Sequence, residues 1–173
     1  MDAQKETKLY QNALNLIRNS GIKFTVEELC KKTIMSKKTF YIAFPSKGDF
    51  AVWVYKRAFF IYDEIVSQYN NKTSHSFDDL YVLFSSFCDI LTITNEKTFN
   101  LYSMSVNIKE FALQEFNKRE ASFRIAILNS PLEKHSKNKS LLPIIENDLI
   151  FIGSKNNYSS LLKDYISLLK GLC

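Results

Sequence analysis

From Ser36 to Lys47 the chain reads Ser-Lys-Lys-Thr-Phe-Tyr-Ile-Ala-Phe-Pro-Ser-Lys, and its polar side chains are of the types that grip a polyanion. Lysines bond phosphate oxygens or guanine edges, which suits Lys37, Lys38 and Lys47. Thr39 and Ile42 can touch a thymine methyl, and Tyr41 can reach a backbone phosphate. Other chemistry finds no comparable grouping. His75 and His135 have no cysteine or carboxylate at ligand spacing, so no metal is expected. Cys30, Cys88 and Cys173 form no CxxC pair, and no nucleophile elbow, P-loop or dinucleotide fingerprint occurs. Neither a catalytic residue nor a cofactor is predicted.

Charge supports the same region. Of the net +5 carried by 173 residues, the first 50 hold nine Lys/Arg against five acids, and the other 123 hold 14 against 13. The positive excess is therefore concentrated where the lysines of 37–47 lie, and a polyanion would meet it there. A sparse, odd set of cysteines without a secretory signal points to a reducing cytoplasm. The longest apolar candidate, Ala51 to Ile61, is interrupted by Lys56 and Arg57, so a soluble chain with no membrane span is expected.

Elements must hold those lysines in one orientation. Four glycines and three prolines in 173 residues favour long helices with short connections, an all-α fold. Tyr10, Ala13, Leu14 and Ile17 share one face of a helix over Ala3–Asn19, which Gly21 can stop in a left-handed conformation. Thr25 with Glu28 forms a capping box for a short second helix whose inner face is Val26, Leu29 and Cys30. Ser36 caps a third helix over Lys37–Ala43, ended by Phe44-Pro45. Ile34 and Met35 are expected to anchor the turn between them, and Phe40 with Phe44 to point inward. That leaves Lys37, Lys38, Thr39, Tyr41 and Ile42 outward. Two short helices joined by such a turn form a helix-turn-helix, a DNA-reading device, with phosphate-binding amides at the helix starts near Thr25 and Lys47.

Beyond this head, Ser46 caps a long helix over Lys47–Asn70. Further helices are predicted from Ser76 or Asp78 to Thr94, Glu96–Val106, Lys109–Asn129, Leu142–Ile152, and from Asn156 or Asn157 to Lys170. The total is nine, with Pro131–Lys139 as a lysine-rich loop. The division is a DNA-binding domain over residues 1–48 and a helical domain over 49–173. The second domain is rich in Phe and Tyr, which suits either a filled core or a cavity for a hydrophobic or flat ligand. Polar residues within its apolar stripes, namely Cys88, Asp89, Tyr102, Ser105 and Asn107, are the ligand candidates. The apolar neighbours of Cys88 favour a buried, inert thiol over a redox sensor.

In the N-terminal quarter the chain resembles the tetracycline-repressor (TetR) family of bacterial regulators. The resemblance rests on an ordered series without insertions. It comprises Ala13-Leu14, Leu16-Ile17, Gly21, Thr25-Val26, Leu29-Cys30, Met35-Ser36-Lys37, Thr39-Phe40-Tyr41, Phe44, Ser46-Lys47 and Phe50. Three positions depart from the family pattern: Thr33-Ile34 stands where Ala-Gly is usual, Lys38 for Gly, and Ala43 for His. The resemblance implies a repressor that binds a palindromic double-stranded operator as a homodimer, one recognition helix per half-site. It also implies a C-terminal helical domain that dimerises and takes a small-molecule effector, whose binding releases DNA. The alternative is a DNA-binding protein whose C-terminal domain recruits a protein partner and binds no small ligand. The dimer interface is expected on the last two helices of each chain, so glutamate at Leu162 and Ile166 should give monomers.

Overall fold

The first five helices each start at a side chain that closes orphan backbone amides, and these caps set the element boundaries. The computed structural model describes residues 2–94, 106–132, 141–155 and 157–172. Among them are eight α-helices and no strand: α1 Ala3–Ser20, α2 Val26–Thr33, α3 Lys37–Ala43, α4 Lys47–Asn70, α5 Phe77–Thr94, α6 Val106–Leu128, α7 Leu141–Gly153 and α8 Tyr158–Leu172. The all-α expectation holds. Most of the expected helix over Glu96–Val106, most of the loop over Pro131–Lys139, and Asn156 lie outside the described residues. α6 already includes Val106, ahead of the expected start at Lys109.

Asp2 accepts the Lys5 amide at 2.8 Å and starts α1. Gly21 ends it at φ 57°, a region where a side chain would be strained, and its amide bonds the Ile17 carbonyl. At α2 the Glu28 amide donates to Thr25 Oγ1 (3.1 Å) and the Thr25 amide donates to Glu28 Oε2 (2.6 Å). Ser46 with Asp49 repeats the box at α4. Ser76 does so at α5, accepting from the Asp79 amide at 3.2 Å while its own amide donates to Asp79 at 2.9 Å.

One apolar core runs from α1 through to α8. In the head, Phe24, Phe40, Phe44, Phe50 and Trp53 form a ring cluster with neighbouring centroids 5.1–6.4 Å apart. In the rest of the bundle Phe84, Phe87 and Phe123 pack together, the last two stacked at 3.8 Å. α4 serves both parts, giving Phe50 and Trp53 to the first and Tyr62, Val66 and Tyr69 to the second. α5 is the central helix, packed by α1, α4, α6, α7 and α8. Its approach to α7 is close: a β-carbon placed on Gly153 would lie 3.2 Å from the Cys88 carbonyl oxygen.

The apolar stripe of α8 is turned differently from the sequence expectation. Leu162 (0% exposed) and Ile166 (8%) belong to the protomer's own core. Glutamate at either would therefore unfold the chain before it could report on a dimer. The outward apolar side chains of the last two helices are Ile144, Ile150, Phe151 and Leu168. Between α7 and α8 a groove of about 320 Å³ is lined by Asp148, Phe151, Ile152, Leu161, Asp164, Tyr165 and Leu168.

Candidate nucleic-acid interface

Leu29, Cys30 and the half-buried Val26 fix α2 to the core. The Met35 amide bonds the Cys30 carbonyl at 3.0 Å, closing the turn into α3. Ile34 sits at that turn with φ 55° and ψ 44°, a left-handed conformation that a β-branched side chain adopts at a cost. Its side chain is 87% exposed, whereas Met35 packs against the core. Of the two expected turn anchors, Met35 is one and Ile34 is not, because a left-handed residue here turns its side chain to solvent.

Ser36 accepts from the Thr39 amide at 3.0 Å and starts α3. Phe40 (0% exposed) and Phe44 (6%) face inward as their spacing demanded, locking the rotation of α3. The opposite face presents Lys37, Lys38, Thr39, Tyr41 and Ile42, all exposed. The structure thus brings the expected α3 residues onto one outward surface, with Thr25 and Ser36 at the helix starts.

Electrostatics differ from lysine to lysine. Lys37 Nζ donates to Glu27 Oε2 at 2.9 Å across the two helices, and Lys31 reaches the same carboxylate at 3.4 Å. The bond from Lys37, ahead of that from Lys31, holds the Glu27 carboxyl below its ordinary range, and Glu27 in turn raises the Lys37 ammonium. Lys38 is exposed. Lys47 folds onto the loop before α2, its Nζ donating to the Phe24 carbonyl at 2.5 Å and lying 4.6 Å from the Phe24 ring centroid. Partial burial there lowers its pKa. A phosphate contact by Lys47 would require the side chain to swing out.

The ligand candidates are dispersed. Cys88 is fully buried on α5, its Sγ donating to the Leu149 carbonyl at 3.6 Å, and burial pushes the thiol far up. Asp89 is ion-paired with Arg18. Asn107 is exposed in the first turn of α6. Tyr102 and Ser105 lie outside the described residues, as do His135 and Cys173. His75 stacks on Tyr69 at 3.9 Å, and among the described residues no three His, Cys, Asp or Glu side chains gather as a metal site.

One residue of consequence escaped the sequence reading. Arg18, in the last turn of α1, looks there like an ordinary helix-end cation. Its side chain is 3% exposed, paired with Asp89 on α5, and its guanidinium carbon lies 3.9 Å from the Tyr158 ring centroid on α8. Burial pushes the Asp89 carboxyl up against the downward pull of Arg18. The pairing spans 71 positions, and no local pattern signals it.

No family model and no curated protein matches this chain. Among solved structures it is similar to the fatty acid degradation regulator FadR from Bacillus halodurans. The TM-score is 0.51 and the identity 16%, covering 98% of this chain and 96% of that one. At that identity the likeness establishes a shared all-helical fold along nearly the whole of both chains.

Proposed function

We propose that this protein is a DNA-binding transcriptional regulator of the tetracycline-repressor type, whose head over residues 1–48 reads duplex DNA with α3. The observation that carries this is the outward face of α3: Lys37, Lys38, Thr39, Tyr41 and Ile42 are exposed on one side while Phe40 and Phe44 clamp the helix from behind. Lysines supply the non-specific phosphate attraction, and the other side chains face the base edges. Amides at the starts of α2 and α4, beside Thr25 and Lys47, add phosphate contacts, and Ser36 fixes the start of α3. The neighbouring fold belongs to a protein described as a regulator of fatty acid degradation, which agrees with a regulatory role here.

A homodimer would present two α3 helices about 34 Å apart, or a multiple of that, to a palindromic operator. α4 spans the head and the remaining bundle, so an effector that shifts it changes this separation and releases DNA, the behaviour of a repressor. A hydrophobic or flat small molecule is the effector class. The second reading, recruitment of a protein partner, draws support from Cys88 and Asp89 being consumed by helix packing and an ion pair.

The test is fluorescence anisotropy with a duplex selected from a random pool by the whole protein. Replacing Lys37 and Lys38 together by Glu should lower affinity at least about tenfold and reduce the dependence on salt by about two counterions. Equal binding by the wild type and this variant would refute the assignment of α3. For the effector, compounds found by thermal shift must alter operator affinity; if none does, the partner-recruiting reading stands in its place.

A further inference from the structure

Major-groove readers that use hydrogen bonds rely on Arg or Lys for guanine, Asn or Gln for adenine and acidic side chains for cytosine, with Ser and Thr less selective. Of the selective types the segment Lys37–Ala43 contains only Lys37 and Lys38. Its polar groups are largely engaged: Lys37 bonds Glu27 at 2.9 Å, and the hydroxyls of Thr39 and Ser36 share a hydrogen bond of 2.8 Å. The Tyr41 ring stands edge-on to Phe40 at 5.3 Å. What α3 offers most openly is Ile42, 75% exposed, the most exposed large apolar side chain on any helix of the described residues. Thr39 lies three positions before it and Lys38 four, so the three share one face.

An exposed branched side chain at the centre of a surface that must meet a hydrated groove has one apolar counterpart there, the methyl group at C5 of a pyrimidine. We propose that α3 selects its operator through pyrimidine 5-methyl groups. Ile42, flanked by the γ-methyl of Thr39, packs on the methyl of thymine or 5-methylcytosine, while Lys38 provides the neighbouring charge contact. The inference rests on the DNA-binding reading and adds what is read. The operator carries a thymine in each half-site at the Ile42 position, and recognition there responds to cytosine methylation.

The experiment uses the whole protein and a duplex selected from a random pool. Each thymine is replaced singly by deoxyuridine, which deletes the methyl and leaves pairing intact. The expected result is a loss of about fourfold at one position per half-site, the worth of one buried methyl. At that position 5-methylcytosine should bind about fourfold better than cytosine. Ile42→Ala should weaken the parent duplex and abolish both differences, with its melting temperature unchanged because the residue is exposed. Selective binding that is indifferent to uracil at every position overturns the methyl reading and leaves DNA recognition standing. The uracil series on the wild type decides this without any variant. Absence of duplex binding overturns both readings and hands the Ile42 surface to a protein partner.

Discussion

Ile34 stores strain in the turn between α2 and α3. A β-branched residue at φ 55° and ψ 44° costs about 1–2 kcal/mol, and with 87% of its side chain in solvent it recovers little by burial. Glycine would remove that cost and lose part of the gain to the greater freedom of the unfolded chain. Ile34→Gly should therefore stabilise the protein by up to about 1 kcal/mol, raising the midpoint by about 3 °C in thermal unfolding. A lower midpoint would show that Ile34 makes a stabilising contact. Arg18 presents the opposite case, a polar residue whose burial is fully committed. With its side chain 3% exposed, Asp89→Ala would strand a buried guanidinium and cost about 3 kcal/mol, measured by urea unfolding. Replacing both partners by apolar side chains, Arg18→Met together with Asp89→Leu, should recover most of that loss, because desolvation offsets much of the attraction between the charges. A double variant as unstable as the single would mean that the polar groups themselves, rather than their pairing, hold α1 to α5.

At the scale of elements, caps decide where helices begin, and several of them include a carboxyl whose pKa is lowered. Asp79 is held down at about 2, below its ordinary 3.8, first by the side chain of Lys72 and then by the Ser76 amide and hydroxyl. A carboxyl depressed in the folded state stabilises fully above its unfolded value and loses that contribution as pH falls through its folded value. The cap of α5 should thus weaken between about pH 4 and pH 2. Asp79→Asn should flatten this part of the acid dependence in urea titrations, and Ser76→Ala should cost about 1 kcal/mol at neutral pH. An unchanged acid slope in the asparagine variant would remove Asp79 from the account. Such caps were legible in the sequence because they are local: Thr25 with Glu28, Ser36, Ser46 and Ser76 each sit within four residues of the amide they close. The inward pair Phe40 and Phe44 was legible for the same reason, since spacing alone fixes their shared face. What lay beyond reach depended on distant parts of the chain. Periodicity marked Leu162 and Ile166 as a stripe, yet it could not say whether the stripe covers the protomer's own α5 or a second copy. The left-handed turn at Ile34 was hidden because its residue type argues against it.

For the whole molecule, the proposed homodimer needs a surface to join its two copies, and the apolar side chains left exposed on the protomer offer one. Phe151 and Leu168, 60% and 61% exposed, line one groove between α7 and α8 with Leu161 and Tyr165 half-buried beneath them. Such a surface costs free energy in water, and a two-fold axis passing beside it would bury each chain's pair against the other's. Two heads joined in this way would, in the proposed complex, each meet a separate half-site. Joining converts the second contact into an intramolecular event, which raises overall affinity a hundredfold or more, on the order of 10²–10⁴. Introducing Phe151→Glu with Leu168→Glu should therefore act twice. Sedimentation should show a monomer with helical circular dichroism retained, since both side chains are already in solvent. Affinity for a selected palindromic duplex should fall about a hundredfold or more, while affinity for a single half-site stays near that of the wild type. Retention of the dimer would move the interface away from this groove. A monomer that still held the palindrome with wild-type affinity would mean that one head suffices, and that the proposed two-fold geometry plays no part in operator binding.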